Sequence, residues 1–209
     1  MTDQIQFYGD SISGNCYKLQ MVCAELGLEY VWHEMDVLAG DTQTPGFLAL
    51  NPNGKVPLMT LADGRVLPES NAILSYLADG SALAGTDRYA KATVLQWLFF
   101  EQYSHEPFIA TSRFILKYLN NPPSRQADLE AKKSGGYKAL ALMEQQLGTQ
   151  DFIANNEYSI ADIALYAYTH VAGEGGFCRL RVQTCAWHRL AARPAGHRHQ
   201  SGPPKSPGD

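Results

Sequence analysis

An Asp63-Gly64 pair separates two strand-like runs, Val56-Pro57-Leu58-Met59-Thr60-Leu61-Ala62 and Arg65-Val66-Leu67, and constrains the fold more tightly than any other feature of the chain. Asp-Gly is among the strongest short hairpin signals, because the tight turn needs positive φ at its central positions and these residues tolerate it. The two runs are therefore expected to pair antiparallel. What precedes them has a different rhythm. Ile5 and Phe7 alternate with polar neighbours as a short strand, and Leu19, Val22, Cys23 and Leu26 then recur at helical spacing up to the stop signal Gly27. Tyr30 to Val37 alternates again, rich in aromatic and β-branched residues, and predicts a second strand. Gly40 to Thr44 reads as a loop and Pro45 to Leu50 as a short helix. After the hairpin, Ser70 is placed to cap a helix whose Ile73, Leu74 and Leu77 share one face.

Residues 1–80 thus read βαβαββα, the order of a thioredoxin-like α/β domain. A polar, Gly-containing stretch follows, of which residues 81–88 are assigned to a linker. Over 89–177 the strand signals stop. Leu95, Leu98, Phe99 and Gln102 open a long helical segment running towards Tyr118, Asn121-Pro122-Pro123-Ser124 interrupts it, and Leu129, Leu140, Leu142 and Met143 mark a second helix ending near Leu147. Ser159 with Asp162 three residues on approximates a capping box ahead of the apolar run Ile163 to Val171. The second domain is expected to be all-helical. From about Cys178, Pro, Gly, Arg and His accumulate and the apolar period fades, so 178–209 reads as an atypical basic tail, partly disordered.

Composition excludes several classes of function. With 45% hydrophobic and 18% charged residues in 209, the chain has an ordinary globular make-up. No uncharged apolar run approaches the ~20 residues of a membrane span. The start, Met1-Thr2-Asp3-Gln4, shows no basic-then-apolar leader, so a cytoplasmic protein is expected. Cys16, Cys23, Cys178 and Cys185 are too few for a disulfide framework, and the latter two with His188, His197 and His199 match no compact zinc spacing. No metal is expected. The net charge of −4 is unevenly spread, because 178–209 holds six Arg/Lys against one acid and leaves 1–177 at −9. So acidic a body repels a phosphate backbone and argues against a nucleic-acid partner.

The chemistry concentrates at Ser13-Gly14-Asn15-Cys16, the mouth of the first helix. Backbone N–H groups without helical partners and the positive end of the helix dipole stabilise a thiolate there. The Ser13 hydroxyl and the Asn15 amide are both placed to donate to such a sulfur. On composition alone the segment is also an ordinary capped turn. Pro57, opening a strand after Val56, stands where a cis-proline would let the preceding backbone groups pair with an extended peptide; the plain alternative is an edge-strand proline. Glu69-Ser70 places a carboxylate and a hydroxyl beside another helix start, suiting an amino group and a carboxylate respectively, or serving only as a cap. Tyr8 reads as the end of the first strand.

Asn51-Pro52-Asn53-Gly54-Lys55-Val56-Pro57, followed by Leu67-Pro68-Glu69-Ser70-Asn71-Ala72-Ile73, resembles the paired signature of cytosolic glutathione transferases. The likeness extends from residue 4 to about 177 and includes Gln96 to Tyr103, similar to bacterial members. It implies the glutathione transferase fold and glutathione as a substrate, with a small hydrophobic electrophile as the second substrate and homodimer formation. On that likeness Val56 and Pro57 hold the cysteinyl backbone, Glu69 and Ser70 the γ-glutamyl end, and Lys55 with Gln43 the glycyl end. The activating residue differs between classes. Ser13 comes first and Asn15 second, since Ser13-Gly14-Asn15 looks like the Thr-Pro-Asn arrangement of bacterial transferases that also reduce small disulfides. Cys16 would matter in mixed-disulfide chemistry. For the electrophile pocket the nearest candidates are Phe100, Tyr103 and His105, with Phe99 and Phe108 close by.

The likeness breaks at Cys178-Arg179-Leu180-Arg181, where family members continue into a Tyr-Pro loop and a final Trp-Leu helix. Ala186-Trp187 to Pro194 echoes that helix faintly, as a frame disturbance in the gene would produce. Three functions stay open: a transferase conjugating glutathione to electrophiles, a glutathione-dependent disulfide reductase, and a non-catalytic binding module on the same fold.

Overall fold

The computed structural model describes residues 4–177, which form two compact units dividing after Leu77. The first is built on β1 (Ile5–Gly9), α1 (Gly14–Leu26), β2 (Tyr30–Glu34), α2 (Pro45–Leu50), β3 (Leu58–Thr60), β4 (Val66–Pro68) and α3 (Ser70–Ala78). The four strands form one sheet in the order β2-β1-β3-β4, with β1 and β2 parallel and the other pairings antiparallel. The expected order of elements stands, as does the hairpin, with Thr60 opposite Val66.

Alternation along β1 and β2 separates the two faces of the sheet. Phe7 packs with Tyr30 and Trp32 at ring distances of 5.2 and 6.3 Å, while Tyr8 stacks on His33 at 4.5 Å beside Phe47 of α2. Gly9 closes β1 where a side chain has no room, since a Cβ there would lie 2.6 Å from the Trp32 ring and 3.0 Å from Cys16 Sγ. Leu19, Val22 and Cys23 of α1, Leu58 and Met59 of β3, and Ile73 and Leu74 of α3 complete the core. Gly27 ends α1 in the left-handed conformation, its N–H returning to Cys23 O.

Two expectations shift. The second strand stops at Glu34 instead of Val37: β1 ends at Gly9, whose carbonyl takes the last bond from Met35 N, and the Asp36 carboxylate then accepts from Leu38 N and Ala39 N, turning the chain away. Ser70 is the first residue of α3 and not the residue before it. The capping carbonyl is that of Glu69, which accepts from Ile73 N, and the Ser70 hydroxyl is engaged elsewhere.

The second unit holds no strand among its described residues. It comprises α4 (Arg88–Phe100), a π-helical turn over Glu101–His105, α5 (Glu106–Arg113), a second π-turn over Phe114–Tyr118, α6 (Gln126–Leu147) and α7 (Ile160–Thr169). The backbone stays helical from α4 through Tyr118, which realises the long segment expected there. Pro107 at the start of α5 has no N–H to return to the preceding turn, and the helix widens just ahead of it. Its buried face differs from the expected one: Val94, Trp97 and Leu98 are inside, whereas Leu95 and Phe99 are exposed. Ile109, Ala110, Leu140, Tyr168, Ala172 and Phe177 form one core cluster, and α7 starts with the full capping box of Ser159 and Asp162. The basic tail, its cysteines and histidines, and the echo of a last helix lie outside the described residues.

Candidate functional site

The loop between β1 and α1 is braced from both ends. Asp10 accepts from Ser13 N through its carbonyl at 3.0 Å and from Ile12 N through its carboxylate at 2.9 Å. Glu34, ending β2, accepts from Ser11 N at 2.8 Å and from Trp32 Nε1 at 2.7 Å. Held so, Ser13 takes an extended conformation before the first turn of α1, and its side chain makes no capping bond. It contacts Cys16 instead, by a hydrogen bond between the two side chains.

Cys16 is fully buried, and burial pushes its thiol up to about 12 against the opposing hydrogen bonds of Ser13 and Asp10. A thiol so held keeps its proton at neutral pH. Mixed-disulfide chemistry through Cys16, kept open on the sequence, therefore has neither an exposed sulfur nor a thiolate. The Ser13 bond favours the ionised sulfur, as a hydroxyl donating to it does, and burial outweighs that effect. Tyr8 is half-buried and stacked on His33, its phenol raised by the same desolvation.

Asn15 meets the start of α3. Ser70 Oγ donates to Asn15 Oδ1 at 3.3 Å, and Ser70 in turn accepts from Lys18 Nζ at 3.2 Å, so the mouths of α1 and α3 are tied side by side. Lys18 also donates to Asn71 Oδ1 at 3.1 Å. Glu69, immediately before α3, is exposed and carries φ +73°, the left-handed region that non-glycine residues enter at a cost. The Val56-Pro57 peptide bond is cis.

The segment leading to that bond is wound around Asn51, which is buried and donates through Nδ2 to Lys55 O at 2.8 Å while accepting from Gly54 N and Asn53 N. Gln43 reaches it from the preceding turn, Nε2 donating to Gly54 O at 3.2 Å. The structure therefore gathers Gln43 with the Asn51–Lys55 loop, and Asn15 with Ser70. The three pocket candidates lie in the second unit. Phe100 packs edge-on against Trp97 at 5.1 Å, Tyr103 is 85% exposed, and His105 is fully buried with Nε2 2.9 Å from Thr169 Oγ1.

Sequence reasoning missed Asp10, Glu34 and Lys18. Lys18 left a usable trace, a charged residue on the same helical stripe as Val22 and one turn from Asn15. Among the described residues no group of His, Cys, Asp and Glu is arranged to hold a metal, and no helix is long and apolar enough to cross a membrane.

Residues 12–79 match the model of the glutathione S-transferase N-terminal domain, and residues 91–177 that of the C-terminal domain. The chain belongs to the glutathione S-transferase family. It is 31% identical over 203 residues to glutathione S-transferase 3 of Zea mays, a match covering 91% of this chain and 90% of the maize protein. A glutathione S-transferase structure from Pseudomonas fluorescens superimposes with a TM-score of 0.86 at 51% identity, covering 91% of this chain and 96% of that one. A glutathione transferase from Pseudomonas putida, solved with one glutathione disulfide bound per subunit, matches at 25% identity and a TM-score of 0.80 over 92% of this chain and 89% of its own. Membership fixes the glutathione transferase fold for both units and places the loops described above within the N-terminal domain.

Proposed function

We propose that this family member activates the thiol of glutathione for attack on a hydrophobic electrophile, with Ser13 and Asn15 stabilising the thiolate. The observation that carries the reading is the direct bond from Ser70 Oγ to Asn15 Oδ1, which holds two helix starts together. Both present N–H groups and positive dipole ends. A tripeptide anion laid along them meets the donors it needs. Its thiol gives up a proton to solvent, and the sulfur is held by the Ser13 hydroxyl and the Asn15 amide before it attacks carbon, the new carbon–sulfur bond replacing the carbon–halogen bond of an aryl halide, from which halide leaves. The amino group of the γ-glutamyl end goes to Glu69 and its carboxylate to Ser70, the cysteinyl backbone lies against Val56 before Pro57, and the glycyl end lies near Gln43 and Lys55. Phe100 and Tyr103 are the aromatic candidates for the electrophile; His105, closed off and bonded to Thr169, serves the helical core. Homodimer formation is part of the same reading.

A second reading, reduction of small disulfides, is supported by the likeness to the Pseudomonas putida structure with glutathione disulfide. Because Cys16 is buried and protonated, that route runs through glutathione alone. One glutathione thiolate attacks the substrate disulfide and releases a thiolate, and a second glutathione then resolves the mixed disulfide to glutathione disulfide.

Retention on immobilised glutathione tests the shared requirement, and turnover of an aryl halide against turnover of a small mixed disulfide separates the two enzymes. Ser13→Ala and Asn15→Ala are each expected to lower turnover 10- to 100-fold while binding persists, the loss of one charge-assisted hydrogen bond being about 1.5–3 kcal/mol. Folded protein that ignores the column, or turns over neither substrate, leaves the non-catalytic binding module.

A further inference from the structure

We infer that Glu34 is a positioning residue for thiol activation, setting the place of Ser13 through the backbone of the loop before it; the inference rests on the glutathione reading above. Glu34 ends β2 opposite Gly9, and both of its carboxylate oxygens are engaged. Oε1 accepts from Ser11 N at 2.8 Å and Oε2 from Trp32 Nε1 at 2.7 Å. The indole is buried, and its ring lies so close over Gly9 that a Cβ there would have no room. One oxygen thus ties the carboxylate to the core and the other ties it to the loop. Two backbone bonds carry the placement on to the helix mouth, from Met35 N to Gly9 O at 2.9 Å and from Ser13 N to Asp10 O at 3.0 Å. The brace draws on no side chain of Ser13 or Asn15.

Charge alone argues against a carboxylate in this place. Asp10 and Glu34 both act on the Cys16 thiol in the direction that opposes its ionisation, and Ser13 is bonded to that thiol. A ligand sulfur held by Ser13 ionises against the same two charges. Geometry supplies the reason for an acid here. Two N–H groups converge on this position, and only a carboxylate offers two acceptor oxygens with no donor between them; a carboxamide has one oxygen and turns an NH2 towards the second N–H. A loop left unbraced moves the hydroxyl of Ser13, and a hydrogen bond to sulfur weakens steeply as its donor swings out of line.

The test measures the bound thiol. In wild-type protein the thiolate absorbance of bound glutathione is titrated with pH, beside the pH profile of kcat/KM for an aryl halide. Glu34→Asp keeps the charge and draws the oxygens back by one carbon, out of reach of Ser11 and Trp32 together. It is expected to raise the thiol pKa by about half a unit and to lower kcat/KM about threefold below that pKa. A glutamate with only a structural role lowers the melting temperature and leaves the thiol titration in place; an unmoved or downward titration in folded Glu34→Asp protein overturns the inference. A double-mutant cycle gives the second readout. In a Ser13→Ala background Glu34→Asp should cost no further turnover, because the group it displaces is already gone, and additive losses overturn the inference as well. Should Glu34→Asp not fold, Glu34→Gln decides: loss of the charge alone would lower the thiol pKa, so an upward shift sustains the inference and any other result ends it. Wild-type protein that binds no glutathione removes the functional reading and this inference together, whereas wild-type titration with an indifferent variant removes the inference alone.

Discussion

A single residue, Glu69, shows how the site departs from what local chemistry prefers. Its φ of +73° belongs to the region where a Cβ crowds the backbone, at a cost of order 1–2 kcal/mol for a side chain that gains nothing locally. The neighbouring geometry maintains it: Ile73 N is bonded to the Glu69 carbonyl, and Ser70, one residue on, is held by Lys18 and Asn15. The conformation keeps an exposed carboxylate at the mouth of α3, where the proposed γ-glutamyl amino group needs it. Glu69→Asn separates the two properties, because asparagine tolerates positive φ and carries no charge. Urea unfolding should show stability equal to wild type or up to about 1 kcal/mol higher, while calorimetry shows glutathione binding weakened about tenfold or more. A variant that binds as tightly as wild type removes Glu69 from the binding site.

At the scale of elements, the parts read most directly from the sequence are those fixed by neighbours in the chain. The Asp63-Gly64 hairpin, the stop at Gly27 and the Ser159 capping box all depend on contacts between near neighbours in the chain, and each stands in the structure. The face of the long helix does not, since aromatic residues occur around it and two π-turns shift the period; Val94 and Trp97 are buried where Leu95 and Phe99 were expected. The candidate site follows the same division. Asn15 and Ser70 are legible as helix starts, but their bond spans 55 positions, and the bracing by Asp10 and Glu34 and the burial of Lys18 arise only when strands and helices meet. Asp162 shows what such meetings contribute. It is fully buried, its carboxylate accepting from Ile153 N at 2.8 Å and from Ser159 N and Oγ at 3.0 and 3.1 Å. Asp162→Ala leaves those donors buried without that acceptor, and denaturant unfolding should register a loss of about 3–5 kcal/mol. Glutathione affinity per folded molecule should be unchanged, so a selective loss of binding in stable protein would contradict a purely architectural role.

For the molecule as a whole, groups that folding keeps protonated predict the pH limit of stability. Burial pushes the thiols of Cys16 and Cys23 up to about 12 and raises the phenols of Tyr8, Tyr17 and Tyr30 above their ordinary value of 10. Below about pH 8 these groups are protonated in the folded and unfolded chain alike, and they add no pH dependence. As pH rises past the ordinary thiol value of 9, the unfolded chain releases protons that the folded chain retains. Stability therefore falls, each group in that condition contributing a slope of about 1.4 kcal/mol per pH unit until its folded pKa is reached. Urea midpoints measured from pH 7 to 11 should be flat on the neutral side and decline steeply on the alkaline side. Cys23→Ala leaves a small cavity and lowers the curve throughout, but its alkaline limb should be less steep, and that slope is the diagnostic quantity. A midpoint constant to pH 11, or a Cys23→Ala limb parallel to wild type, would mean that these thiols ionise in the folded chain as readily as in water, against their burial. The same retained proton leaves no thiolate at Cys16 at neutral pH, so in the function proposed above the reactive sulfur is that of glutathione.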